Sequence, residues 1–151
     1  MARLTRPSRR RGAMTVEFAL CVNFGLLPFY FGIIDWSWYL WRAMFVQSAL
    51  RDAALTGASV DMDAGTCPGV MAESELDDRL STAGFGGATI TSVLTDGVAY
   101  GVGWVSNIDQ MTVTVSVPFS PIIGILPIPD AMGGTMTVPL EDQRGSTDCG
   151  V

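Results

Sequence analysis

Two residue types are missing from this 151-residue chain, and each absence closes off chemistry. Without His there is no member of the commonest class of general base and metal ligand, and no partner to activate a Ser or Cys nucleophile. Without Lys there is neither Schiff-base chemistry nor the phosphate-gripping lysine of a P-loop. Cys is scarce too, with only Cys21, Cys67 and Cys149. Asp61, Asp63 and Cys67 do not make a zinc site. The acids Glu73, Glu75, Asp77 and Asp78 lack the spacing of a calcium loop and diverge around a helix axis, so they read as a solvated face. The chain is therefore expected not to be an enzyme and to need no cofactor or metal.

Charge is sparse and unevenly placed. The formal net charge is -6, yet Arg3, Arg6, Arg9, Arg10 and Arg11 crowd the first dozen positions, where no acid occurs. The other four of the nine Arg, set against all 15 acids, leave the rest of the chain at -11. A body that acidic repels phosphate backbones, so no nucleic-acid partner is expected.

What the chain does have is one long apolar run. Phe18–Leu40 contains only Asn23, Asp35 and Ser37 as clearly polar residues. As a helix rising about 1.5 Å per residue it covers a hydrocarbon layer of roughly 30 Å. The Arg cluster before it marks the cytoplasmic end, and Trp36, Trp38, Tyr39 and Trp41 gather where the opposite interface falls, giving an N-in, C-out topology. A cleaved signal peptide would have a shorter apolar region ending in small residues, whereas this one ends in bulky aromatics. Beyond the span, Ala43, Val46, Leu50, Ala53 or Ala54, and Gly57 continue at intervals of three or four, predicting one helix over about 13–58. Gly25 and Pro28 predict a kink or local unwinding within it. Asp35, beside Trp36 and Trp38, is expected at the outer headgroup level, within reach of water.

The stretch Arg9–Phe18, RRRGAMTVEF, sets a basic run and a Gly five residues ahead of a Glu at the start of an apolar helix. It resembles the processing site of type IV prepilins. The resemblance implies cleavage by a prepilin peptidase between Gly12 and Ala13, and makes Glu17 the acid that pairs with a neighbouring subunit's new α-amino group during assembly. A carboxylate one turn into a bilayer is expensive unless it finds such a partner; otherwise Glu17 lies at the interface and complements the helix dipole. The wording GAMTVEFAL, followed by GIIDWSWYLW and ALRDAALTGAS, is similar to the TadE-like proteins of tight-adherence (Tad, Flp-type) pilus systems, and TadF-like and TadG-like relatives share that start. A second, looser similarity covers MTVTVSVPFSPIIGILP. The resemblance implies a minor pilin or pseudopilin acting in pilus initiation, assembly or adhesion. Its partners would be the bacterial inner membrane, the prepilin peptidase, other pilins and the Tad assembly platform. From another class, a permanently membrane-anchored binding or sensor domain would fit the same span, but would have no need of Gly12 or Glu17.

The expected organisation is a basic leader over 1–12, the long helix over 13–58 with its span about 18–40, and an extracytoplasmic α+β domain over 59–151. After a loop, a short helix is predicted from about Glu73 to Leu80, stopping before Gly84. Alternating β-branched residues in ATITSVLT, MTVTVSVPF and TMTVPL predict strands, with Tyr100–Val105 a poorer candidate and Ser120–Gly134 a Pro-rich excursion. The fold class is thus α+β, a small antiparallel sheet of three or four strands packed on the outer half of the long helix. Cys67 and Cys149 would share an oxidising compartment, and a bridge between them would stabilise by roughly 4 kcal/mol in the chain-entropy view. Cys21 reads as an apolar filler.

Overall fold

The computed structural model describes residues 10–60, 67–98, 108–124 and 126–140. Helix α1 is Arg10–Cys21, a π-helical turn follows at Val22–Leu26, and α2 is Leu27–Ala58. A third helix, α3, is Pro68–Thr82, and the strands are β1 (Thr89–Val98), β2 (Ile108–Pro118) and β3 (Ala131–Pro139). The architecture is α+β, as the patterning predicts.

The first three elements join end to end, and the 47 residues Gly12–Ala58 form one helix long and apolar enough to cross a membrane. Only 6% of its most apolar 18-residue stretch is buried, which separates it from the core helix of a soluble domain. Apolar side chains left outward in this way, among them Phe18, Phe24, Leu26 and Phe29, need a non-aqueous neighbour. The local unwinding expected around Gly25 and Pro28 takes the form of the π-turn. There the Leu27 N–H donates to the Val22 carbonyl, five residues back. The wider turn sits directly ahead of Pro28, whose ring has no N–H to give and would crowd the carbonyl four residues before it.

Residues divide into two compact units, one comprising the helix as far as Tyr39 together with Pro121–Ile128, the other Leu40–Ser120 and the residues from Pro129 onward. The second unit is the α+β body. Its sheet is antiparallel in the order β1-β2-β3. In the central strand Met111, Val113, Val115 and Val117 are buried while Thr112, Thr114 and Ser116 face the other way, the period of two set by the pleat. On that outer face Thr112 bonds Thr137 across the ladder at 3.0 Å and Thr114 bonds Thr135 at 3.1 Å.

Against this body the end of α2 supplies a buried stripe of Val46, Ala49, Leu50, Ala53, Ala54 and Ala58, the three-to-four spacing legible in the sequence. Small residues allow close approach. A side chain at Gly57 would place its Cβ 2.7 Å from the Pro68 carbonyl oxygen and 2.8 Å from both Ala72 Cβ and Met111 Cε. From α3, Ala72, Leu76 and Leu80 are fully buried; each Leu contributes about 2 kcal/mol by leaving water.

Helix α3 is longer than the predicted Glu73–Leu80. Pro68 and Gly69, read from sequence as loop, begin it, with Cys67 at the N-cap and Pro in the first turn, where its missing N–H costs nothing. It ends in a Schellman motif: Phe85 N–H donates to Leu80 O, Gly84 N–H to Ser81 O, and Gly84 takes φ +79°. The motif carries Phe85 inward, where its ring stacks on Phe45 at 5.4 Å and lies 4.3 Å from the Arg42 guanidinium. The acids of α3 are also more than a solvated face. Glu73 accepts the Ser92 N–H of edge strand β1 at 2.7 Å, and Glu75 with Asp52 of α2 holds Arg79 at 2.6 and 2.7 Å. The hydrogen bond that Arg79 gives to Glu75, with the charges of Glu75 and Asp52, raises the Arg79 pKa further above its ordinary value. Tyr100–Val105, the weakest strand expectation, lies outside the described residues.

Candidate functional site: the apolar helix and its clamped hook

The first unit brings together two stretches far apart in sequence. Asp35 on α2 is buried, with no solvent-exposed surface. Its Oδ1 accepts the backbone N–H groups of Ile122 and Ile123, both at 3.0 Å, and its Oδ2 accepts that of Gly124 at 2.9 Å. Three successive amides converging on one anion form a nest, and the turn that aims the third is completed by Gly124 at φ +72°. One helical turn earlier, Gly32 lies under Leu126; a Cβ at Gly32 would stand 3.0 Å from Leu126 Cγ and closer still to its Cδ1. Gly32 and Asp35 thus form a seat for the hook Pro121–Ile128: a flat contact for an apolar side chain beside a charge for the backbone.

This overturns the expectation that water reaches Asp35. Beside it Trp36 and Tyr39 pack edge-to-face at 5.7 Å. The carboxylate itself turns to the hook. Its partners are 87 to 89 residues away in sequence, so no local pattern announces them. The available signal was the coincidence of one acid inside an apolar run with a Pro- and Gly-punctuated apolar segment, PIIGILPIP, elsewhere in the chain.

The residues singled out for processing and assembly occupy α1. Gly12 and Ala13 lie in its exposed first turns, and nothing stands within 4 Å of where a Cβ on Gly12 would be. Glu17 is exposed on the same helix, and no partner engages its carboxylate among the described residues. Cys21 is exposed and free, open to whatever surrounds the helix. Cys67 is disulfide-bonded; Cys149, its expected partner, lies outside the described residues.

No significant match to the chain was found among curated proteins or among solved structures. A protein-family model does match, over the segment that contains Glu17, the π-turn and Asp35. Across residues 12–55, which hold most of the long apolar helix, the chain matches the model of the TadE-like protein family.

Proposed function

We propose that this chain is a minor pilin or pseudopilin of a Tad-type pilus, with a structural rather than a catalytic role. It is inserted in the bacterial inner membrane by its single apolar helix, with the Arg-rich end in the cytoplasm and the α+β body in the periplasm. A prepilin peptidase trims it after Gly12, and the product engages other pilins and the assembly platform, in pilus initiation, assembly or adhesion. The observation that carries this reading is where the family match begins: at Gly12, the residue after which the cut would fall and five before Glu17.

The local physics favours the cut. The first four N–H groups of a helix have no intrahelical acceptor, and such ends fray at little cost, so a peptidase can draw the Gly12–Ala13 bond into an extended form. Cleavage would leave Ala13 with a charged α-amino group and Glu17 one turn along. An exposed carboxylate within an apolar helix is then complementary to the amino group of the next subunit. Mass spectrometry of the N-terminus of membrane-purified protein tests this. Ala13 is the expected first residue in cells with an active prepilin peptidase. A chain that keeps Met1 or Ala2 there would remove the basis of the proposal and favour a permanent membrane anchor.

A further inference from the structure

The hook Pro121–Ile128 leaves β2 and returns to β3, its base closed by the Phe119 N–H bonded to the Asp130 carbonyl at 2.7 Å. Nothing charged lies between Ser120 and Pro129. Much of its apolar surface is left open: Ile122 is 63% exposed, and Ile123 and Leu126, the latter resting on Gly32, are each 39% exposed. An apolar loop turned outward in water would be a liability, yet this one is held in place by a buried carboxylate.

Its level on the helix gives the reason. Asp35 follows Phe18, the start of the apolar run, by 17 residues, or roughly 26 Å at about 1.5 Å per residue, inside a hydrocarbon layer of about 30 Å. Backbone that is neither helix nor barrel is tolerated at that depth only when its polar groups are satisfied by protein. Three amides of the hook meet the condition. Ile122, Ile123 and Gly124 give their N–H groups to Asp35, and Pro121, Pro127 and Pro129 have none to give. The same contact satisfies the acid, which at that depth must find a partner.

We propose that the hook is a second membrane-inserted element, with Ile122, Ile123 and Leu126 in contact with the acyl chains of the outer leaflet beside their own helix. The proposal rests on the reading of Phe18–Leu40 as a membrane span and adds to it that the chain enters the bilayer at two places.

Spin labels can test this on the full-length protein in phosphatidylcholine–phosphatidylglycerol liposomes. Cys21→Ser is the background, and its own labelled spectrum is subtracted. Single substitutions Ile122→Cys and Leu126→Cys probe the hook, Phe29→Cys reports the span and Thr135→Cys the exposed face of the sheet. Accessibility is read against oxygen, which concentrates in lipid, and against a polar nickel chelate, which stays in water. The expected result is an oxygen-to-nickel ratio at 122 and 126 several-fold above that at 135 and close to that at 29. Adding Asp35→Ala should drop the ratio at 122 and 126 to the aqueous level while leaving 29 unchanged. The proposal is overturned if the hook labels are as aqueous as 135 while 29 is in lipid. Low access to both reagents at 122 and 126 would overturn it as well, since a protein neighbour would then cover the hook. An aqueous label at 29 would sink the membrane span, and the hook proposal with it.

Discussion

Replacing Asp35 by Ala removes the carboxylate that holds the three hook amides. Hydrogen bonds to a charged acceptor contribute about 1.5–3 kcal/mol each, but the carboxylate must also be desolvated, so the three do not simply add. Removing one partner of such a buried arrangement typically costs about 3–5 kcal/mol, because the groups left behind have lost both water and their acceptor. Expressed as local opening, that is a fall of roughly two to three and a half powers of ten in protection against amide exchange. The assay is hydrogen–deuterium exchange with mass spectrometry on purified protein in nanodiscs, tracking a peptide that covers Ile122–Leu126. Asp35→Asn should fall between wild type and Ala. One oxygen remains to serve Ile122 and Ile123, but an amide NH2 would face the Gly124 N–H, donor against donor. Amides of the β2–β3 ladder should be unaffected, since Asp35 touches none of that ladder's amides. If the hook amides exchange at the same rate with and without the Asp35 carboxylate, the clamp does not hold the loop and the account of Asp35 is wrong.

Glu17→Gln should leave membrane insertion and cleavage after Gly12 intact while lowering pilus number and co-purification with other pilins; a normal pilus count would refute the pairing role. Gly57→Val should destabilise the α+β body by about 2 kcal/mol through overpacking against Pro68 and Ala72, lowering its melting temperature by roughly 10 °C; an unchanged melting curve would refute the close crossing. Cys67→Ser should cost about 2–5 kcal/mol by freeing the unfolded chain, seen as an earlier thermal transition that reductant no longer shifts. Non-reducing peptide mapping of the wild type is expected to recover Cys67 joined to Cys149, and two free thiols there would rule that pairing out.

The sequence exposed those parts of the fold whose physics is periodic and local. The long helix was legible because Ala43, Val46, Leu50 and Ala53 repeat on one face, and the strands because Met111–Val117 alternates a buried residue with a Thr or Ser. The start of α3 was not, since Pro68 and Gly69 are loop residues by propensity; N1 tolerates Pro, and Ser92 of β1 lies too close to leave room for a side chain at Gly69. The roles of Glu73 and Glu75 were hidden for a related reason. Acids on a solvated face and acids that cover a sheet edge look alike until the strand beside them is known. Asp35 was misread because its surroundings in sequence are aromatic and interfacial, whereas its chemistry is decided by amides from the far end of the chain. Around Gly12 and Glu17 the position is reversed: the roles proposed for them rest on a linear motif, and folding adds only that both are accessible.

The π-turn also sets which way the helix looks. In an unbroken α-helix at 3.6 residues per turn, Asp35 would stand five whole turns beyond Glu17 and share its bearing. The turn at Val22–Leu26 takes up one extra residue, so the remainder of the rod is set back by about 100°, a little over a quarter of a revolution. The seat of the hook and the carboxylate of Glu17 therefore point along different compass directions from one rod, and the side on which Glu17 would greet another subunit is kept clear of the protein's own loop.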